Sequence, residues 1–261
     1  MVEIRILHTP AELETIVDLE LAVWGLNPRD AVPSALMHVI ALHGGVVLGA
    51  YDADRLVGLL LAFPARSTDT AEWLLWSHMT GIHPAYQSRG IGAALKRFQR
   101  QWALDNGYTR IGWTFDPLQR GNARFNFALL GADAALTAQV YHVNFYGEMD
   151  DAINRGLPSD RLEVRWHLAQ PSVHPADRGF APFILSATDD QLPELHMPTT
   201  WEDRFYRVSL PVNVEGLRRA APDKVLTWRL AVRDALQAAF AHGCQIVDFM
   251  DDTYVLQRFE R

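Results

Sequence analysis

The segment Gly81-Ile82-His83-Pro84-Ala85-Tyr86-Gln87-Ser88-Arg89-Gly90-Ile91-Gly92-Ala93-Ala94-Leu95 constrains the fold more than any other stretch of the chain. Residues 72–82 are strongly apolar and rich in tryptophan, which predicts a strand that enters a glycine-punctuated loop and then a helix. The helix is predicted from Ile91, Leu95, Phe98 and Trp102, spaced as one apolar stripe, with Gly107 ending it. Residues 110–115 then read as another strand. A strand–loop–helix junction of this kind makes an anion site, because the first N–H groups of the helix have no intrahelical partner and its dipole adds to the attraction. Gly90 and Gly92 let a phosphate come close to the backbone and tolerate the positive φ such loops use.

Two common phosphate loops do not fit. A dinucleotide-binding turn needs a third glycine and an acidic residue about twenty positions on. Here the pattern runs Gly90-Ile91-Gly92-Ala93-Ala94-Leu95, after about three earlier strands, and no such acid follows. A Walker or kinase-type loop fails as well, since no Gly-Lys-Ser or Gly-Lys-Thr is present in the segment.

Read as Q-x-x-G-x-G after an apolar strand ending Ile82-His83-Pro84, the segment resembles the acyl-CoA pyrophosphate loop of the GNAT superfamily of N-acetyltransferases. The resemblance covers residues 1–168 in element order. Strand 3–7 is followed by helices 11–23 and about 34–42, strands 46–51 and 56–63, the loop and its helix, strand 110–115, a helix over about 122–130, and strands near 138–145 and 162–168. It implies a mixed α/β (α+β) fold, with a central mixed sheet flanked by helices, followed by a smaller α/β region. The same resemblance assigns acyl-CoA, acetyl-CoA included, to Thr80, Gly81, Ile82, Gln87, Ser88, Arg89, Gly90, Ile91, Gly92, Ala93 and Asn122. For Asn122 the alternative is a helix N-cap or turn residue after Asp116-Pro117.

The chemistry that the resemblance implies is direct attack of an amine on a thioester. It needs a deprotonated amine, a main-chain N–H from residues 79–82 for the oxyanion, and a proton or hydrogen bond for the leaving thiolate. Strand alternation would place Glu72, His78, Thr80 and Ile82 on one face and Trp73, Ser77 and Met79 on the other. His78 is the candidate base, with an interior hydrogen-bonded histidine as the alternative and a proton path through water as a third reading. The superfamily's acid is commonly a tyrosine four residues before a glycine, but here Phe127 precedes Gly131 at that spacing. Tyr146, beside Gly147, is the substitute candidate, and Tyr141 lies in the same segment. Arg161 and Arg165 alternate onto one strand face beside Asp160, and Arg161 is named for capture of an acceptor carboxylate against the alternative of solvated surface charge.

The net charge of −7 and the absence of a Lys/Arg run argue against nucleic acid as a partner. A single cysteine, Cys244, excludes an intrachain disulfide. The N-terminal residues lack a basic-then-apolar leader and no apolar run reaches membrane-spanning length, so the expectation is a cytoplasmic protein with no membrane partner. The histidines show no pairing at metal-ligand spacing, so no metal is expected. Pro171, Pro175 and Pro182 mark residues 169–187 as a linker or loop, which divides the chain into an acyl-CoA-binding domain, 1–168, and an accessory region, 169–261. Within the latter, a strand at 204–212, a helix at 225–241 and strands at 246–249 and 254–259 echo the first domain's middle as a degenerate half-repeat, with Gly243 in the place of Gly107.

The functional expectation is transfer of an acetyl or succinyl group to a primary amine of a small molecule, an amino acid included. The run from Gly156 to Trp166, together with residues 122–131, resembles a bacterial branch that carries a C-terminal extension and includes acylation of amino acids. The rival expectation is an acyl-CoA sensor or scaffold without turnover, and a third is transfer to a protein amine. The eight tryptophans are numerous enough for a homodimer to share some of them.

Overall fold

The computed structural model describes residues 2–25, 27–67, 70–147, 157–172 and 180–259, so the predicted roles of Gly156 and Pro175 lie outside the described residues. The chain forms two compact units, Met1–Trp113 and Thr114–Arg261.

In the first unit, strands β1 (Glu3–Ile6), β2 (Val46–Asp52), β3 (Arg55–Arg66), β4 (Trp73–Ile82) and β5 (Arg110–Phe115) lie side by side in that order. Neighbours are antiparallel except β4 and β5, which run parallel. Helix α1 (Pro10–Trp24) begins at a capping box in which Thr9 and Glu12 satisfy each other's backbone groups, with Pro10 at the first turn. With α2 (Ser34–Leu42) it covers one sheet face, where Leu13, Ile16, Leu19 and Met37 meet Val47, Leu59 and Leu61. Helix α3 (Ile91–Asp105) covers the other face, and Gly58 admits it there: a Cβ on Gly58 would lie 3.0 Å from Ile82 and 3.2 Å from Ile91. The buried side of α3 differs from the predicted stripe. Ile91 and Leu95 are buried, but Phe98 and Trp102 are only partly so, and Lys96, Gln99 and Ala103 complete the face.

The second unit has strands in the order β7-β6-β11-β12-β10-β8-β9. These are β6 (Leu136–His142), β7 (Arg161–His167), β8 (Phe183–Ala187), β9 (Pro193–Leu195), β10 (Phe205–Ser209), β11 (Cys244–Met250) and β12 (Thr253–Arg258). Its helices are α4 (Arg120–Ala123), which runs on as a π-helix over Arg124–Leu130, then α5 (Val214–Ala220) and α6 (Pro222–Ala241). Two hairpins, β6–β7 and β11–β12, meet through the antiparallel pair of β6 and β11. Residues 183–187, expected inside a linker, form β8, which pairs parallel with β10 because Ile184 and Leu185 find a core to enter. The predicted strand at 138–145 ends at His142, where a turn over 143–146 begins. β12 separates β10 from β11, whereas β4 and β5 are adjacent, so the connectivity around Gly243 differs from that around Gly107.

Candidate active site

The site is built from an irregularity in β4. Leu61 pairs with Met79 while Ala62 pairs with Ser77, so His78 is an extra residue, a β-bulge. The bulge overturns the simple alternation predicted for this strand. Met79 packs with the α1 and α2 cluster, and a Cβ on Gly81 would lie 2.8 Å from Trp24 of α1. Ser77 instead faces Lys96 and Gln99 of α3, the side shared by Ile82. Ser77 and Met79 thus take opposite faces although they are two residues apart.

The parallel ladder between β4 and β5 consists of Leu75↔Ile111 and Trp76↔Gly112. Among the described residues, Ser77 and positions 79–82 of β4 pair with β3 on one side, and positions 77–82 carry no ladder pair to β5 on the other. The backbone N–H groups of a strand point to alternate edges, and the His83 N–H donates to the Val57 carbonyl of β3. Those of Thr80 and Ile82 therefore lie on the free edge and can serve a ligand between the strands.

From Ile82 the chain turns through a single 3₁₀ turn, Pro84–Tyr86, started by His83, whose Nδ1 accepts from the Ala85 N–H. Gln87 Nε2 donates to the Ile82 carbonyl at 3.4 Å, and Arg89 donates to the Ala85 carbonyl at 2.9 Å while lying over the Tyr86 ring. Ser88 and Gly90 take left-handed backbone, with φ of 61° and 79°. Gly90 is the N-cap of α3 and offers no side chain to the first N–H groups of the helix, and a Cβ built on it meets nothing within 4 Å. Open space in front of uncapped amides at the start of a fifteen-residue helix is what a phosphate requires. Gly92, by contrast, lies within α3 and needs no positive φ.

His78 keeps an exposed edge, and its ring lies 5.6 Å from that of Phe63 in a tilted contact. The atoms packed around it still desolvate the imidazole and lower its pKa from the ordinary 6.5. The charge that sequence reasoning missed is Lys96, buried at 3 % exposure, whose Nζ donates to Ser77 Oγ at 2.8 Å and lies 3.9 Å from the Trp113 ring centre. Burial lowers its pKa to about 7. The available signal was a lysine three residues before Gln99 and seven before Ala103, a helical face that becomes buried.

The remaining predicted residues lie in the second unit. Asn122 is exposed and sits inside α4, whose N-cap is Gln119, so it does not cap the helix. Phe127 is fully buried between Phe115 and Tyr254. Tyr146 is half-exposed in the turn after β6, its ring meets Phe145, and the Arg161 guanidinium lies 5.2 Å above it. The structure therefore brings Tyr146 and Arg161 together. Arg165 pairs with Glu163, which also holds His142 at 2.7 Å. Asp160, read only as a neighbour of surface arginines, is fully buried and accepts from Arg233 Nε and Nη2, each at 2.9 Å, and from Tyr141 at 2.8 Å.

The sequence profile of the Acetyltransferase (GNAT) family matches residues 13–126. This span holds the bulged β4, the Gly90 loop and α3. Residues 13–126 are a GNAT acetyltransferase domain. Solved structures agree on the fold. A GNAT-family structure from Desulfovibrio desulfuricans is 18 % identical, with a TM-score of 0.51 over 65 % of this chain and 100 % of its own. YncA of Salmonella typhimurium, solved with its cofactor acetyl-CoA, is 18 % identical, with a TM-score of 0.50 over 67 % of this chain and 99 % of its own. An N-acetyltransferase from Staphylococcus aureus is 12 % identical, with a TM-score of 0.51 over 64 % of this chain and 99 % of its own. No curated protein sequence matches the chain.

The GNAT match takes in Asn122 and ends at Asn126, so Tyr146 and Arg161 lie beyond it. Among the described residues no cluster of His, Cys, Asp or Glu could hold a metal, and no helix is long and apolar enough to cross a membrane.

Proposed function

We propose that this GNAT protein transfers an acyl group, acetyl or succinyl, from acyl-CoA to a primary amine of a small molecule, with amino acids among the acceptors. One observation carries the reading: the free edge of β4 at 77–82 runs directly into the uncapped, Gly90-opened start of α3. A pantetheine arm can lie along the first while a pyrophosphate meets the second. The amides of residues 90–93 and the side chains of Gln87, Ser88 and Arg89 surround the phosphate position, and the β4 amides face the acyl carbonyl. His78, kept neutral by desolvation, is the proposed proton acceptor for the attacking amine. Tyr146 is the proposed donor to the leaving sulfur, and Arg161 beside it the proposed partner of an acceptor carboxylate.

Residues 1–168 are proposed as the acyl-CoA-binding domain and 169–261 as an accessory region. Part of that region is proposed as a degenerate half-repeat of the first domain's middle, with Gly243 in the place of Gly107. The proposed protein is cytoplasmic, binds neither nucleic acid nor membrane, and is a candidate homodimer.

A second reading, an acyl-CoA sensor without turnover, is favoured by one observation: the buried Phe127 occupies the place of the superfamily's usual tyrosine. Thiol release from acetyl-CoA and succinyl-CoA across a panel of amines separates the two. An acceptor-dependent rate supports the transferase, and saturable binding without turnover supports the sensor.

A further inference from the structure

Lys96 stands at the fork where β4 and β5 part. The last ladder pair is Trp76↔Gly112. The next residue on each strand is Ser77 and Trp113, and these are the two groups that the Lys96 amine touches, at 2.8 Å from Ser77 Oγ and 3.9 Å from the Trp113 ring centre. The Ser77 hydroxyl donates a hydrogen bond to Gln99 Oε1 at 3.3 Å, which adds a second polar link from α3 to the same point of the strand. Gln99 is fully buried, and its Nε2 has no hydrogen-bond partner among the described residues.

Stability alone does not account for a lysine in this position. Among the described residues it has no ion-pair partner, and burial is the sole cause of its pKa shift. A methionine or leucine would fill similar space without desolvating an amine. What a polar group adds is direction: a hydrogen bond to Ser77 fixes α3 against one register of β4, where apolar packing would let the two slide. That register matters because Ser77 directly precedes the bulge at His78, and because α3 carries the open amide cluster at its other end.

We infer that Lys96 is a positioning residue: by bonding Ser77 and lying on Trp113 it wedges the fork between β4 and β5 and keeps the β5-facing amides of residues 77–82 free for the acyl arm. The inference rests on the acyl-CoA reading for its purpose, but the fork itself is measurable without ligand.

The experiment is hydrogen exchange on the full chain, wild type against Lys96→Met, with peptides covering 77–82 and 90–93, followed by steady-state kinetics. In the ligand-free protein, Lys96→Met is expected to slow exchange of the 77–82 peptide at least tenfold, as the ladder zips past Trp76↔Gly112. The kcat should fall at least tenfold while the KM for acetyl-CoA stays within about threefold, since the phosphate-binding end of α3 is untouched. Lys96→Gln, which retains a donor toward Ser77, should recover part of both effects. Ser77→Ala, which removes the acceptor instead, should reproduce them if the methionine variant does not fold. Unchanged exchange over 77–82 in both Lys96→Met and Ser77→Ala overturns the inference. Absence of slowed exchange at 90–93 when acetyl-CoA is added to wild type would instead remove the acyl-CoA reading, and the ligand-free comparison would still decide the fork.

Discussion

A residue that serves position at the expense of stability should give stability back when it is replaced. Burial lowers the Lys96 pKa from 10.5 to about 7. At pH 7 the unfolded chain holds that proton almost completely and the folded chain about half of the time. At ~1.4 kcal/mol per pKa unit, folding is then opposed by about 4 kcal/mol relative to an unshifted lysine. Methionine is of similar length and uncharged, and its sulfur can keep a contact with the Trp113 ring. The variant loses the bond to Ser77, worth about 1 kcal/mol. Lys96→Met is therefore expected to be more stable than wild type at pH 7, by about 2–3 kcal/mol. The sign follows from proton binding. Below the folded pKa of about 7 both states carry the proton and the variant's advantage is at its largest and flat. Between about 7 and 10.5 only the unfolded state carries it, so wild type gains on the variant as pH rises. Above 10.5 the advantage is gone and the missing Ser77 bond leaves the variant the weaker by about 1 kcal/mol. Urea unfolding of both proteins across this range checks the reasoning. A variant less stable than wild type at pH 7, or a difference that does not move with pH, would refute it.

Three further outcomes follow from the same geometry. Gly90→Asp puts a carboxylate in the open space before the α3 amides and should weaken acetyl-CoA binding at least a hundredfold by calorimetry, with only about 1 kcal/mol of backbone strain at φ 79°; retained affinity would take away the phosphate assignment. His78→Ala should lower kcat/KM on the order of a hundredfold near pH 7 and less at high pH, where the amine is already deprotonated. Because desolvation lowers the His78 pKa, the wild-type rate should hold until pH falls below the ordinary 6.5, and a profile identical in the alanine variant would return the ring to simple packing on Phe63. Asp160→Asn leaves Arg233 without its bidentate partner and should cost about 3–5 kcal/mol in urea unfolding, whereas a loss under about 1 kcal/mol would show that the pair is solvated.

Much of the first unit was legible because its signals are local. The Thr9–Glu12 capping box, the continuous apolar runs of β2 and β3 and the glycines at the loop each fix an element through neighbours in sequence. The second unit hides its signals in partners far along the chain. Residues 183–187 look like a proline-flanked linker until β10 supplies a parallel neighbour. Asp160 looks like surface charge until Arg233, seventy-three positions on, closes over it. Asn122 was readable as a cap only if the helix began at that residue, and Gln119 begins it earlier.

The least legible feature governs the chemistry most. Strand periodicity is a two-residue rule, so a single inserted residue reverses every assignment beyond it. Reading β4 outward from Ile82 puts Thr80 and Ile82 on the α3 face correctly, but carrying the count past His78 sends Ser77 to the wrong side. No residue type announces the insertion: His78 is neither glycine nor proline, and its neighbours fit an uninterrupted strand. The compensation lies in another element. A lysine on the buried face of α3 is anomalous by itself, and a bulge in β4 is anomalous by itself. Each becomes intelligible once Lys96 is seen to bond Ser77, the residue whose orientation the bulge reverses. If that pairing is causal, Ser77→Ala and Lys96→Met must perturb the same amides, 77–82, to a similar degree, and the double variant must add little beyond either alone. Full additivity would mean that bulge and lysine arose for separate reasons, and that the fork between β4 and β5 is held by β3 pairing on its own.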